Sequence, residues 1–259
     1  MYISLILLFV FIMSIILSLL PFYSQRTAME IVNDMGQGWN LANTFEYFDI
    51  QREMNNPNDQ ITLWGNKFPK KEMFLRIKKY GFKTIRFPVT WFHFMESSGK
   101  IKSEWMEKVK EVVDFIISSN MYCILNIHND GVKGNWLSEG LMAKEKYIIL
   151  WQQIAEEFKN YDDYLIFESM NDVIYKNGKD YNFKTLLNLT QSFVDTIRNS
   201  GENNKHRLLL ISGADTDLDL TCNNEYKMPN DPSNKLAVSI HYYIPTQFTV
   251  EKMMILFIG

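Results

Sequence analysis

The chain has 259 residues, of which 46% are apolar and 22% are charged. This composition excludes a disordered chain, and the length suits one barrel-sized domain better than two small ones. The formal net charge is only -3 and the Lys and Arg residues are scattered, which excludes a phosphate-binding surface for nucleic acid. The aromatic share of 14% supplies a core and also rings on which the apolar face of a sugar can stack.

The first predicted element is an apolar N-terminal segment. Residues 1–20 contain no charged side chain. This run is longer than the roughly 7–15 residues of a signal-peptide core and barely reaches the roughly 17–25 residues of a membrane span. We therefore assign residues 1–28 to a signal peptide or to a membrane anchor that attaches through residues 2–20, and residues 29–259 to the folded domain. Both assignments place that domain outside the cytoplasm, either secreted or anchored.

After this segment, short runs typical of β-strands alternate with longer amphipathic stretches. The runs are Gly38 to Ala42, Thr84 to Phe87, Tyr122 to Ile127, Leu165 to Glu168, Leu208 to Ile211 and Leu236 to Ile240. The helical patterns between them are Lys70 to Tyr80, Ser103 to Ser119, Lys144 to Lys159 and Tyr181 to Asn199. Strands that alternate with helices predict a parallel sheet, which is either doubly wound or closed as a barrel.

Polar side chains at the strand ends distinguish these two arrangements. They are Asn43 after the first strand, Arg86 within the second, His128 after the third, Asn171 and Asp172 after the fourth, and His241 and Tyr243 after the sixth. In a barrel all these ends meet at one mouth, where barrel enzymes have their active sites. No Gly-x-Gly-x-x-Gly or phosphate loop follows the first strand, which weakens the nucleotide-binding alternative. The sequence therefore predicts an α/β fold, an incomplete (β/α)8 TIM barrel with about six of its eight βα units.

Five segments near these strand ends form a recognisable series. They are Gly38-Trp39-Asn40-Leu41-Ala42-Asn43-Thr44, Ile85-Arg86-Phe87-Pro88-Val89-Thr90-Trp91, Asn126-Ile127-His128, Phe167-Glu168-Ser169-Met170-Asn171-Asp172 and His241-Tyr242-Tyr243. In type and order they resemble the motifs of glycoside hydrolase family 5, from about Gly36 to Phe248. The resemblance implies a cellulase-like endo-β-1,4-glucanase that hydrolyses a plant cell-wall glucan by a retaining double displacement.

The same resemblance assigns the acid/base position to Asp172. The family has Glu there, so the carboxyl of this chain is one methylene short, and a shift of roughly 1 Å can cost on the order of 100-fold in rate. Glu168, four residues earlier, would point into the barrel at a lower level. The family's nucleophile is a second carboxylate at the end of strand seven, about 5–5.5 Å from the acid/base group.

Five further residues receive roles near the two carboxylates by resemblance. Arg86 would lie under the nucleophile and keep it ionised, although a strand Arg also suits an ion pair in the barrel floor. Asn171 would contact the sugar 2-hydroxyl, in a hydrogen bond that strengthens in the transition state. His128 and His241 would bind the sugar and order the carboxylates, and Tyr243 would be hydrogen-bonded near the nucleophile.

Candidate substrate-binding residues are Asn43, Trp39, Trp64, Trp91 and Trp136. Large aromatic residues at strand ends are core about as often as they are sugar platforms. Trp136 is the first choice, because residues 133–135, Lys-Gly-Asn, form a loop before it. The expected partner is a β-glucan polysaccharide or oligosaccharide, bound by a monomer. No metal or cofactor is expected, since no His, Cys or carboxylate cluster shows ligand spacing and the family needs none.

The nucleophile has no counterpart in the sequence. Only 11 residues follow Phe248, so we expect the chain to be truncated after strand six and to lack the strand-seven carboxylate. The alternative function is therefore a non-catalytic carbohydrate-binding pseudoenzyme, or a truncated gene product.

Overall fold

A computed structural model describes residues 26–49, 51–132, 136–177 and 180–245 of the chain. Its main sheet has six parallel strands in chain order. They are β1 Gly38–Asn40, β2 Thr84–Phe87, β3 Tyr122–Asn126, β4 Leu165–Glu168, β5 Leu209–Ser212 and β6 Leu236–Ser239. All six strands are the predicted ones, with ends that differ by at most two residues. A separate antiparallel hairpin pairs Lys176–Asn177 with Asp180–Tyr181.

Seven α-helices accompany the sheet in the described residues. They are α1 Ala28–Met35, α2 Pro57–Thr62, α3 Lys71–Lys79, α4 Ser103–Ser118, α5 Lys144–Phe158, α6 Phe183–Asn199 and α7 Leu218–Thr221. Helices α3 to α6 confirm the four predicted helices. Helix α6 begins two residues later than predicted, because the Asn182 side chain caps it by accepting a hydrogen bond from the Thr185 N–H.

Contacts between alternate strands show that the sheet is curled. Arg86 on β2 donates to Glu168 on β4, and Ser239 on β6 donates to the same carboxylate. Neighbouring strands lie about 4.8 Å apart, so alternate strands of a flat sheet would hold their side chains roughly 10 Å apart. The convergence of these three side chains places them on a concave face. The sheet thus corresponds to six of the eight βα units of a (β/α)8 barrel, as predicted.

The concave face is closed at its lower end by α1, which was not predicted. Ile31 of α1 packs with the apolar residues that face the barrel interior, which are Tyr122, Ile124, Ile166, Leu208 and Leu210. A capping box between Thr27 and Glu30 begins the helix. Arg26 donates to Asp163 at 2.6 and 2.9 Å and to the Tyr122 hydroxyl at 2.7 Å. Arg26, which was expected to belong to the N-terminal segment, therefore contacts the lower face of the barrel.

A second, larger core fills the space between the sheet and the outer helices. It includes the apolar face of α4, which consists of Val109, Val112, Val113 and Ile116. None of the helices in the described parts of the chain is long and apolar enough to cross a membrane. The apolar segment at residues 1–20 lies outside the described residues, as do the residues beyond 245.

Candidate active site

Asp172 lies at the centre of the polar mouth, directly after β4. His241, after β6, places its Nδ1 atom 2.6 Å from Asp172 Oδ1. Thr216, after β5, donates its hydroxyl to the same oxygen. Asn171 Nδ2 lies 3.3 Å from Oδ2. Because the Asp172 side chain is 43% exposed, a ligand in the mouth can reach it.

These contacts set the charge of Asp172. Partial burial raises the pKa of the carboxyl, but the close His241 ring and the hydrogen bond from the Thr216 hydroxyl outweigh burial and lower the pKa to about 2. Asp172 is therefore ionised at neutral pH. A general acid must hold a proton when the substrate binds. In a retaining site, the negative charge of the nucleophile carboxylate raises the pKa of the acid/base carboxyl beside it.

A buried ion pair supports Asn171 from below. Arg86 Nε lies 2.8 Å from Glu168 Oε2, and its second guanidinium nitrogen, Nη2, donates to Asn171 Oδ1 at 2.9 Å. The entirely buried Glu168 also accepts from Asn126 Nδ2 at 2.9 Å and from the Ser239 hydroxyl at 2.7 Å. Because Arg86 occupies the Asn171 carbonyl oxygen, the Asn171 amide nitrogen faces Asp172. Glu168 points into the barrel below Asp172, as expected, and Arg86 forms the floor ion pair.

The remaining predicted polar residues surround Asp172. Burial and the Arg86 charge lower the pKa of His128 to about 3, so its imidazole is neutral at physiological pH. Its Nδ1 atom lies 3.3 Å from Asn126 Nδ2. Tyr243 is half exposed, with its ring edge-on to His241 at a centroid distance of 6.4 Å. The structure thus brings the predicted polar side chains at the ends of strands two, three, four and six together at one mouth.

Two of the predicted aromatic platforms lie away from the mouth. Trp91 is fully buried, and its indole N–H donates to the Asn126 carbonyl at 3.1 Å, so its ring belongs to the core. Trp39 is aligned with the core residue Ile85, and thus faces the convex side of the sheet, where it packs on Phe82. Side chains alternate along a strand, so the neighbouring Asn40 faces Arg86 instead.

Trp64 and Asn43 lie in the loops above β1. Trp64 is 45% exposed and packs edge-on against Tyr47 at 5.1 Å, and Tyr47 stacks on His93 at 6.2 Å. These three rings form an aromatic surface in which Trp64 is exposed, His93 is partly buried and Tyr47 is buried, and of which only Trp64 was predicted. Asn43 is exposed, has a left-handed backbone with φ of 60°, and accepts a hydrogen bond from Asn66 through its carbonyl.

Trp136 is held by a buried carboxylate. Its indole N–H donates to Asp130 Oδ1 at 2.8 Å, and the Lys146 ammonium lies 4.9 Å from the ring centroid. Asp130 also accepts from the backbone N–H groups of Trp91 and Phe92, both at 2.9 Å. Asp130 therefore ties Trp136 to the loop after β2. The loop at residues 133–135 lies outside the described residues.

Asp130 makes the stability of this loop cluster depend on pH. Burial raises its pKa from 3.8 to about 6 in spite of the three N–H donors and the Lys146 charge. A carboxyl with a raised pKa stabilises the fold below its unfolded pKa, and this contribution is lost as the pH rises through about 6.

We expect the unfolding free energy of the wild type, relative to that of Asp130→Asn, to fall by on the order of 3 kcal/mol between about pH 4 and pH 7. The asparagine does not titrate, so the difference isolates this carboxyl. Urea unfolding of both proteins across this range measures it. A difference that stays constant with pH would contradict the assignment.

Several residues of the site were not predicted. Thr216, Asp130, Tyr47 and His93 occupy loops, where no periodic pattern indicates direction. Across the described ranges, no group of three or more His, Cys, Asp or Glu side chains is arranged to hold a metal ion.

Several known proteins are similar to this chain in sequence and in fold. Residues 42–254 match the family described as Cellulase (glycosyl hydrolase family 5). Endoglucanase A of Paenibacillus barcinonensis is 36% identical over 248 residues, which are 87% of this chain and 60% of that enzyme. A broad specificity endoglucanase from an uncultured bovine rumen ciliate is 61% identical, with a TM-score of 0.87 over 88% of this chain and 64% of that one.

A family 5 enzyme of Prevotella bryantii B14, solved with a xyloglucan tetradecasaccharide, is 29% identical, with a TM-score of 0.79 over 86% of this chain and 68% of that one. The chain thus spans about 60% of the length of the first curated relative. The family match covers most of the described barrel and includes all five strand-end motifs except the first residues of the earliest. The chain belongs to glycosyl hydrolase family 5, the cellulase family.

Proposed function

We propose that this chain forms the acid/base side of an endo-β-1,4-glucanase site that hydrolyses a plant cell-wall glucan with retention of configuration. The observation that supports this most is the half-exposed Asp172 carboxylate at the barrel mouth, fixed between His241 and Thr216. In the retaining reaction this group protonates the leaving glycosidic oxygen and later deprotonates water. The other polar residues of the mouth contact the sugar or orient the second carboxylate.

The neighbouring side chains suit defined tasks in this reaction. Asn171, whose amide is oriented by Arg86, donates from Nδ2 toward the space beside Asp172, where a sugar 2-hydroxyl binds. Arg86 holds its positive charge beneath the mouth and favours an ionised nucleophile. Neutral His128 and the half-exposed Tyr243 supply hydrogen bonds without adding charge next to the developing oxocarbenium ion.

The aromatic surface formed by Trp64, Tyr47 and His93 supports a polymeric substrate. Its exposed ring, Trp64, is held edge-on by Tyr47 and suits the apolar face of a glucosyl unit. Of the relatives named above, the rumen ciliate protein is a broad specificity endoglucanase, and the Prevotella bryantii enzyme was solved with a xyloglucan oligosaccharide. We take a β-1,4-glucan backbone, with or without side branches, as the substrate class. Trp136 serves as a platform at the other side of the mouth.

A glucan polymer is too large to cross a cell membrane, so the protein acts outside the cytoplasm. The uncharged residues 1–20 suit export as a signal peptide, or retention as an anchor. In this proposal the chain is a monomer, secreted or held at the outer face of a membrane. N-terminal sequencing of the secreted protein distinguishes the two.

One observation favours a second function, the binding of carbohydrate without turnover. Asp172, with a pKa lowered to about 2, accepts hydrogen bonds from sugar hydroxyls but has no proton to give. Under this alternative, the mouth binds cello-oligosaccharides and releases them unchanged.

The test compares the 259-residue chain with a completed chimera, in which the part of the rumen ciliate endoglucanase beyond the aligned region follows Phe248. We expect calorimetry to show that both bind cellotetraose. We expect a reducing-end assay to detect hydrolysis of soluble glucan by the chimera alone, because both carboxylates are needed. Binding by a folded chimera without hydrolysis would favour the carbohydrate-binding function, and hydrolysis by the 259-residue chain would mean that another carboxylate acts as nucleophile.

A further inference from the structure

We propose that Thr216 is a positioning residue that fixes the Asp172 carboxyl so that Oδ2, rather than Oδ1, holds the transferable proton. The proposal rests on the acid/base function proposed for Asp172. It starts from the loop after β5, which the family motifs do not include. In this loop, Thr216 lies between the ends of β4 and β6.

The backbone at Thr216 is strained. Asp215 and Thr216 both adopt left-handed conformations, with φ of 52° and 51°. A β-branched residue rarely adopts this conformation, and such strain costs about 1–3 kcal/mol. Neighbouring elements hold it in place: the Tyr181 hydroxyl accepts from the Asp215 N–H at 3.2 Å, and the Thr216 carbonyl accepts from the His241 N–H at 2.9 Å. The strain thus lies beside the candidate catalytic carboxyl.

The consequence of this conformation is the direction of the hydroxyl. Thr216 Oγ1 lies within hydrogen-bond distance of Asp172 Oδ1 and 2.7 Å from the Asp215 carbonyl oxygen. A hydroxyl has a single hydrogen, and the ionised carboxylate is the stronger acceptor. The hydroxyl therefore donates to Asp172. The same Thr216 residue also binds the His241 backbone, so one residue links the acid to the end of β6.

Two polar side chains converge on one oxygen of Asp172. His241 Nδ1 lies 2.6 Å from Oδ1. The Thr216 hydroxyl donates to the same oxygen, so both close contacts of the carboxyl are made by Oδ1. Among the residues that the structure describes, the contact recorded for Oδ2 is the longer one with Asn171 Nδ2, at 3.3 Å. A proton on the carboxyl is therefore placed on Oδ2.

This arrangement addresses the short side chain at the acid/base position. Aspartate has one rotatable bond fewer than glutamate, so its reach is smaller and its carboxyl orientation decides whether the proton meets the glycosidic oxygen. Fixing Oδ1 leaves one oxygen, in one direction, for proton transfer. Of the two contacts, only the one from Thr216 depends on a loop conformation that other residues hold under strain.

The test uses Thr216→Val, which keeps the branched shape and removes the hydroxyl, with Thr216→Ser as the matched control that keeps the hydroxyl. Carboxyl carbon NMR on the full chain follows the titration of Asp172. We expect Thr216→Val to raise the Asp172 pKa by about one unit, since a lost hydrogen bond to a carboxylate weakens its charged form. Thr216→Ser should titrate like the wild type. An unchanged pKa in Thr216→Val, or an equal rise in both variants, would overturn the proposal.

Thr216→Gly separates positioning from strain. Glycine adopts a positive φ without cost, so this variant removes the hydroxyl and relieves the backbone. We expect the same rise in the Asp172 pKa as in Thr216→Val, but a higher free energy of unfolding. A purely structural role would change stability and leave the titration alone, and that result would count against positioning. These readouts need no turnover, so they decide the proposal even if the completed chimera fails to hydrolyse glucan.

Discussion

Arg86→Met is expected to lower the free energy of unfolding by about 3–5 kcal/mol, because it leaves the Glu168 carboxylate buried without a counter-charge. Glu168 is entirely buried, and its other partners, Asn126 and Ser239, are neutral. Two neutral donors replace only part of the solvation that the carboxylate loses on burial. Methionine retains most of the side-chain volume, so the loss reflects charge and hydrogen bonding rather than a cavity. Urea unfolding measures it.

The double variant Arg86→Met with Glu168→Gln is the matched control. It removes both charges, and we expect it to recover most of the lost stability, since replacing a buried pair costs less than breaking it. Arg86→Lys keeps the charge but loses the flat fork that contacts both Glu168 and Asn171. A loss below 1 kcal/mol in Arg86→Met would show that water or another cation solvates Glu168.

Asp172→Asn in the completed chimera is expected to lower kcat by about 100- to 10,000-fold on unactivated glucan. The amide can still accept a hydrogen bond from Thr216 or His241, so the mouth keeps its shape, but it has no acidic proton for the leaving oxygen. Substrates with good leaving groups need less protonation and should lose less. Initial rates on cello-oligosaccharides and on aryl glycosides measure the two cases.

Asp172→Glu is the companion variant. It restores the missing methylene, and we expect it to raise the rate on unactivated glucan. Cellotetraose affinity provides the control, because both variants should bind the sugar nearly as well as the parent chimera. Equal rates for the parent chimera and Asp172→Asn would mean that Asp172 is not the acid.

The sheet could be predicted because the information about each strand is local. Six β-like runs separated by amphipathic stretches with one apolar face require a parallel arrangement, and the structure confirms all six strands. Helix α1 was missed for a physical reason. It directly follows an apolar segment with the composition of an export signal, and its own single buried residue, Ile31, gives no periodic pattern. What places α1 is its contact with the barrel interior, which is distant in sequence.

The site residues that follow directly from strand ends could be predicted, because the end of a strand determines where the next side chains lie. Side chains directly after parallel strands meet at one mouth, which explains why Arg86, Asn171, Asp172 and His241 lie together. It was harder to predict which face of the sheet a side chain points to. Trp39 and Trp91 lie in motif segments, yet the first faces the convex side and the second the core. Near a strand end, one residue of offset reverses the face, and aromatic type does not reveal the offset.

Thr216 marks the limit of sequence-based prediction. A hydroxyl residue in a polar loop has no pattern that indicates its partner. Its importance depends on two consecutive left-handed residues that only the folded loop imposes. Asp130 is similar, because its burial depends on three donors from two different loops. Such residues follow from tertiary contacts, and those contacts join segments tens of residues apart.

The position of Arg26 and α1 gives the molecule a polarity. Arg26 contacts Tyr122 and Asp163, where β3 begins and just before β4 begins, while Asp172 lies at the opposite ends of the strands. Arg26, the first described residue, therefore lies on the side turned away from the mouth. Any tether joined there, whether a lipid-embedded helix, a linker or a further module, would direct the open mouth outward. A protein immobilised in this way could meet a solid cell wall face-on, without its attachment point competing with the polymer for space.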